Sequence, residues 1–157
     1  MKKIALFVTI MLLLSACLKI EEASEIPEIS LKEFKYTIGL DSLENKVYLI
    51  ELTMNFIDGD GDIGSQDSIN QLFITPLRKK YKKVADTLDT LTFKIPYIEP
   101  IKSVRTFNGE IKCEFMASAL GDYQVNDTLI YEAFIVDRSE HKSNVISTLD
   151  FIFREIQ

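Results

Sequence analysis

A single antiparallel β-sandwich of about seven or eight strands is the fold the sequence predicts, on three observations. VYLIELTMNFID, residues 47–58, sets Tyr48, Ile50, Leu52, Met54 and Phe56 on one parity and Glu51, Thr53 and Asn55 on the other, the period-2 pattern of a strand with one wet face. ISTLDFIF, residues 146–153, repeats the pattern, with Leu149, Phe151 and Phe153 against Thr148 and Asp150. Short apolar runs of this kind recur between turn signals from about residue 28 onward, with no convincing amphipathic helix between them. That spacing favours sheet on sheet over alternating strands and helices.

The first residues, MKKIALFVTIMLLLSAC, carry Lys2 and Lys3, an apolar stretch from Ile4 to Leu14, and Ser15-Ala16 before Cys17. This is the layout of a signal peptide. As a helix the apolar stretch would span about 16 Å, too short for a bilayer core of about 30 Å, so residues 1–16 are expected to be a leader. LSAC resembles the lipobox of bacterial lipoproteins, which implies cleavage before Cys17 and acylation of its thiol, palmitate included. Several acyl chains, each contributing about 0.8 kcal/mol per buried CH₂, hold a protein stably on a membrane. Loss of Lys2 and Lys3 with the leader moves the formal net charge from −6 to −8, which argues against nucleic acid as a partner. Residues 17–27 read as a lipidated cysteine followed by a solvated acidic tether containing Glu21, Glu22 and Glu25. Acidic residues this close to the lipidated cysteine resemble the surface-export signal of Bacteroidota lipoproteins, implying an outer-membrane address, facing outward.

Residues 28–157 are expected to form the sandwich. Strand-like runs cover 29–38, 47–57, 71–77, 81–86, 91–97, 109–117, 128–137 and 146–153, an immunoglobulin-like or fibronectin-III-like count. Residues 98–108 lack alternation and are expected to form a crossover; Pro96 and Pro100 bracket its start, and proline cannot donate to a central ladder. In GEIKCEFMA, Ile111, Cys113, Phe115 and Ala117 share one face and Lys112 and Glu114 the other. Cys113 is therefore read as a small buried apolar residue rather than a reactive thiol. The single histidine, His141, falls in a polar loop.

FIDGDGDIGSQD, residues 56–67, places Asp58, Asp60 and Asp62 at i, i+2 and i+4 behind the second strand. Like charges at 4 Å cost about 1 kcal/mol per pair even in water. A divalent cation reverses the sign, and oxygen ligands at this spacing are how calcium loops present side chains to one ion. Gly59, Gly61 and Gly64 allow the backbone to curl around it. An EF-hand is excluded, because Ile63 occupies loop position six and Ile69 position twelve. The proposed metal set is Asp58, Asp60, Asp62 and Gly64, completed by Asp137 at the end of IYEAFIVD, with Asn144 nearby. If residues 47–57 and 128–137 are the second and sixth strands of an immunoglobulin-like sandwich, their outgoing loops lie at one end. The competing reading is Asp-Gly turn chemistry with no metal.

Two further clusters stand out. RKKYKK supplies Arg78, Lys79, Lys80, Lys82 and Lys83, either a solvated hairpin guarding a sheet edge or a docking patch for phosphate-bearing glycolipid or an acidic partner. Asp-Ser/Thr-aliphatic triplets place Ser42, Ser68, Thr87, Thr90 and Thr128 after an aspartate. The triplet resembles the O-glycosylation acceptor of exported Bacteroidota proteins, and that likeness makes the five hydroxyls candidate acceptors. FxDGDGDIG followed by IxDRxxxxSN is similar to small lipoproteins of Bacteroidota, which implies a β-sandwich lipoprotein and carries over no catalytic residue.

The chain shows no set of nucleophile, base and orienting group. The expected function is a non-enzymatic binding or accessory module, anchored by lipid, stiffened by calcium at one pole and presenting loops to a protein or glycan. A structural subunit of an outer-membrane assembly, secretion or uptake complex is the alternative. A hydrolase using the acidic loop is the minor one, disfavoured by the absence of tryptophan platforms for sugar.

Overall fold

The structure, a computed structural model, describes residues 23–67, 69, 71–80, 83–99, 106–117 and 126–154. The expected leader, Cys17, the first part of the expected tether with Glu21 and Glu22, Ser68, Lys82 and most of the expected crossover at 98–108 lie outside them. Nine strands occur among the described residues: β1 (Glu28–Leu40), β2 (Lys46–Asp58), β3 (Leu72–Lys80), β4 (Lys83–Thr87), β5 (Leu91–Phe93), β6 (Phe107–Met116), β7 (Thr128–Ile135), β8 (Ile146–Ser147) and β9 (Phe151–Ile152). All pairings between these strands are antiparallel.

One sheet has the order β1-β2-β6; the other runs β4-β3-β7-β8, with β5 also on β3 and β9 also on β7. β4 pairs with residues 77–80 of β3 and β5 with residues 72–74, while β7 occupies the other edge. β4 and β5 are thus two pieces of one broken edge strand. β8 and β9 stand in the same relation to β7, at Glu132–Ala133 and Thr128–Leu129. Counted this way the fold is three strands on four, the immunoglobulin/fibronectin-III-like build expected from the sequence. β5 stops at Phe93, earlier than the expected 97, and Pro96 just beyond it has no amide proton for a ladder.

Alternation explains most of the core. Tyr48, Ile50, Leu52, Met54 and Phe56 on β2 face Leu129, Tyr131, Ala133 and Ile135 on β7, all buried. Two bulges reset the parity in the core, and a further register shift falls between Arg78 and Lys79 where β3 meets β4. In β1 the register slips between Leu31 and Glu33, so the inward set runs Ile29, Leu31, Phe34, Tyr36. Between β8 and β9 one extra residue enters opposite β7. There Thr148 turns inward, its Oγ1 accepting the Tyr131 amide at 3.0 Å, and Leu149 is 75% exposed. The expectation that Leu149 faces the core and Thr148 the solvent is thereby reversed, because the bulge moves both by one face. Phe151 remains inside, with its ring centroid 4.7 Å from Tyr36 and 5.1 Å from Tyr48.

Candidate metal centre

β2 and β7 carry their inward parity one step past their apolar residues, and in each case the next inward position is an acid. Asp58 follows Met54 and Phe56 and is fully buried; Asp137 follows Ala133 and Ile135 and is 3% exposed. Two sheets thus deliver two buried carboxylates to the same end of the core.

The loop after β2 folds back over that end. The Asp62 amide donates to Asp58 Oδ2 at 2.9 Å, and carboxylate oxygens of Asp58, Asp60 and Asp62 come within 4.8 Å of one another. Two glycines with left-handed backbone make the bend, Gly61 at φ 73° and Gly64 at φ 84°. Gly64 is required for a second reason, because a Cβ there would stand 2.2 Å from the Pro96 carbonyl oxygen. The loop is pinned at that point by the Ser65 amide, which donates to Ile95 O at 3.1 Å. Gly59 is hemmed in as well: its amide donates to Ser24 O at 2.8 Å, and a Cβ would stand 2.3 Å from the Ala23 carbonyl oxygen. Residues 23 and 24, at the end of the expected tether, therefore rest on the acidic loop.

The loop after β7 closes the other side. Ser139 gives its amide and its hydroxyl to Asp62 Oδ2, at 2.9 and 2.7 Å. The Arg138 amide donates to Asp62 O at 3.3 Å, and its guanidinium donates to Gly64 O at 3.2 Å while lying 5.1 Å from the centre of the Tyr97 ring. Asp137 turns to its own loop, with Oδ1 accepting the His141 amide at 2.7 Å and Oδ2 meeting His141 Nδ1 at 3.0 Å. Asn144 is committed elsewhere, bonding both the amide and the carbonyl of Ile29 at 2.8 Å.

These commitments leave two oxygens over. Asp58 Oδ1 and Asp62 Oδ1 are buried and have no hydrogen-bond partner, although a buried carboxylate oxygen ordinarily finds one. Burial pushes the Asp58 carboxyl up to about 6, and the nearby charges of Asp60, Asp62 and Asp137 add to the rise against the Asp62 amide bond. Asp137 is raised by burial and by the charge of Asp62, despite its bonds to His141. Desolvation pulls His141 down, but the charge and hydrogen bond of Asp137, with the charges of Asp60 and Asp62, leave it raised. The site is short of positive charge and of donors, and a cation would supply the missing charge and occupy the free oxygens. Asp58, Asp60 and Asp62 are the residues whose chemistry fits one.

The other expected positions separate. Asp137 adjoins the triplet, but both its oxygens are engaged, and Gly64 O already accepts from Arg138. Arg78 is paired with Asp127 at 2.8 Å and Asp86 at 3.4 Å, and Lys79 is paired with Asp150; Lys80 and Lys83 are exposed. Two of the four described members of the basic cluster are thus neutralised within the fold. Ser42, Thr87 and Thr90 are exposed and Thr128 half-buried, with Thr90 Oγ1 2.8 Å from Thr75 Oγ1. Cys113 is buried on β6, its thiol pushed up to about 12 by burial and, less, by Glu114. Arg138, Ser139 and His141 are the site residues to which sequence reasoning gives no role. A hydroxyl one turn beyond a strand carries no signal until the strand's partner sheet is known. Comparison with protein-family models, curated proteins and solved structures finds no significant match to this chain.

Proposed function

We propose that the chain is a lipid-anchored, non-enzymatic binding or accessory module of the bacterial outer membrane, with calcium at the acidic pole. The observation that carries the calcium reading is Asp58, a fully buried carboxylate with an unpartnered oxygen and two further aspartates at hand. Calcium takes six to eight oxygens at about 2.3–2.6 Å, so the three carboxylates would be completed by water or backbone oxygen, with Asp137 adding charge from behind. The lipid anchor rests on LSAC at residues 14–17 and on the small Bacteroidota lipoproteins that the two loop motifs resemble.

In this reading calcium ties together the loop after β2, the loop after β7 and the end of the tether, and so fixes the pole that the tether joins. Six residues from Cys17 to Ala23 reach at most about 20 Å, which keeps that pole close to the lipid. A cleft of about 470 Å³ lined by Asp67, Gln71, Asp137, Arg138 and Glu140 opens beside it and is the surface offered to a protein or glycan partner.

The test is a melt of the chain in chelator and again in about 1 mM calcium, a level that loads sites of the extracellular class. At ten times Kd the ion adds about 1.4 kcal/mol, a rise of several degrees for a domain of this size. Asp60→Asn is expected to remove that rise without lowering the melt in chelator, since it also removes a charge that repels Asp58. An unchanged wild-type melt would reduce the loop to a turn.

A further inference from the structure

β1 is thirteen residues long and lies at the outer edge of its sheet, paired on one side with β2. On the other side Asn144 takes both backbone groups of Ile29, and beyond the bulge at Leu31/Glu33 no described strand pairs with it. Ile29 directs its amide and carbonyl to that free edge. Its β2 partner is Phe56, and the β2 residues of the same parity pair with Phe34, Tyr36, Ile38 and Leu40 after the bulge. Those four therefore also turn their backbone groups outward, because amide direction alternates along an antiparallel strand. Tyr36, Ile38 and Leu40 are 50%, 59% and 61% exposed, and FKYTIGL, residues 34–40, holds one charge and no proline. Natural edges are ordinarily blunted by charge, proline or a bulge; from Phe34 onward this one carries only Lys35, whose charge is paired with Glu33.

We propose that β1 pairs antiparallel with β1 of a second copy of this chain, centred on Thr37, joining the two three-stranded sheets into one of six. The segment is complementary to itself in that register. Phe34 meets Leu40 and Tyr36 meets Ile38, each twice, on the core-facing side, while Thr37 meets Thr37 and Lys35 meets Gly39 on the other. Opposed apolar pairs and Thr–Thr pairs stabilise an antiparallel ladder, and like charges directly opposite destabilise it. A register centred on Lys35 opposes the two lysines and gives up half of the apolar pairs. The contact is two-fold and closed, so it yields a dimer rather than a fibre, and the two acidic poles lie at opposite ends of the joined sheet, where both tethers reach one bilayer when the strands run along it.

Disulfide trapping in the full-length chain, held in detergent micelles, tests the register. Thr37 would be a non-hydrogen-bonded pair with Cα atoms about 4.5 Å apart, inside the range a disulfide spans. Lys35 would sit four residues out of register with its own copy, about 13 Å away. Under mild oxidation Thr37→Cys is expected to give covalent dimer on the order of tenfold above Lys35→Cys and above the unsubstituted chain. Equal trapping at both positions, or none at Thr37, overturns the pairing. Ile38→Pro removes an edge-facing donor without touching the β2 ladder and is expected to abolish the dimer while the melt is retained. Should that variant not fold, Ile38→Lys, which sets a charge against Tyr36, is expected to do the same. Sedimentation of the unsubstituted chain as a monomer at all concentrations would leave the edge to a strand of another protein and overturn self-pairing.

Discussion

Asp58 shows how much depends on one position's parity. One residue earlier or later on β2 it would face solvent and carry an ordinary carboxylate pKa; on the inward face, burial and three neighbouring acids push it up to about 6. Without metal, the folded state then holds a proton that the unfolded chain releases near 3.8. A carboxyl raised on folding weakens the fold as pH climbs from the unfolded value through the folded one. Asp137, also raised, acts in the same direction. His141, raised as a base, contributes stability below 6.5 that is lost as pH rises through its folded value. The denaturation midpoint in chelator is therefore expected to be higher at pH 5 than at pH 7. Calcium, which binds only the ionised carboxylates, should reverse the order and give its larger shift at pH 7. Gly64 is the other residue that carries the pole alone. Gly64→Ala places a Cβ into the Pro96 carbonyl at positive φ and is expected to cost about 2 kcal/mol or more, read as a lowered denaturation midpoint. The calcium shift should weaken with it.

At the scale of elements, the bulges determine which side chains the sheets share. The slip in β1 brings Phe34 and Tyr36 over Phe151 and Tyr131, and the extra residue between β8 and β9 lets Phe151 enter from the opposite edge. β9 is only two residues long, so its attachment rests on that side chain more than on its ladder. Phe151→Ala is expected to cost about 3–5 kcal/mol, measured by chemical denaturation, because its cavity would adjoin Tyr36, Tyr48 and Tyr131 together. The strands themselves are readable in the sequence where one face is wet: β6 and β7 alternate cleanly, and β2 does so except at Val47 and Thr53, which are buried on its other face. The broken edges are not. Period-2 counting has no means to register an inserted residue, and it ran ISTLDFIF as one strand with Leu149 inside.

For the whole molecule, topology orders stability. β2 lies between β1 and β6, and β3 and β7 lie at the centre of the other sheet, while β4, β5, β8 and β9 are short pieces on its two edges. Local opening starts where few backbone bonds and little buried area hold a segment. Amide exchange is expected to run fastest in β4, β5, β8 and β9 and slowest at Leu52, Met54, Tyr131 and Ala133; equal protection across both sheets would refute this order. Alternation and i, i+2, i+4 spacing are local properties of the chain, so the all-β class, the inward apolar faces of the central strands and the acidic triplet are legible without any fold. It took the packing of the two sheets to bring Ser139 and Arg138 across to Asp62, to turn Asp137 to His141, to set residues 23 and 24 on Gly59, and to leave the edge of β1 without a partner strand among the described residues. Each of these joins, or leaves apart, segments distant in sequence, and such distances are set by how the two sheets stack and where their bulges fall.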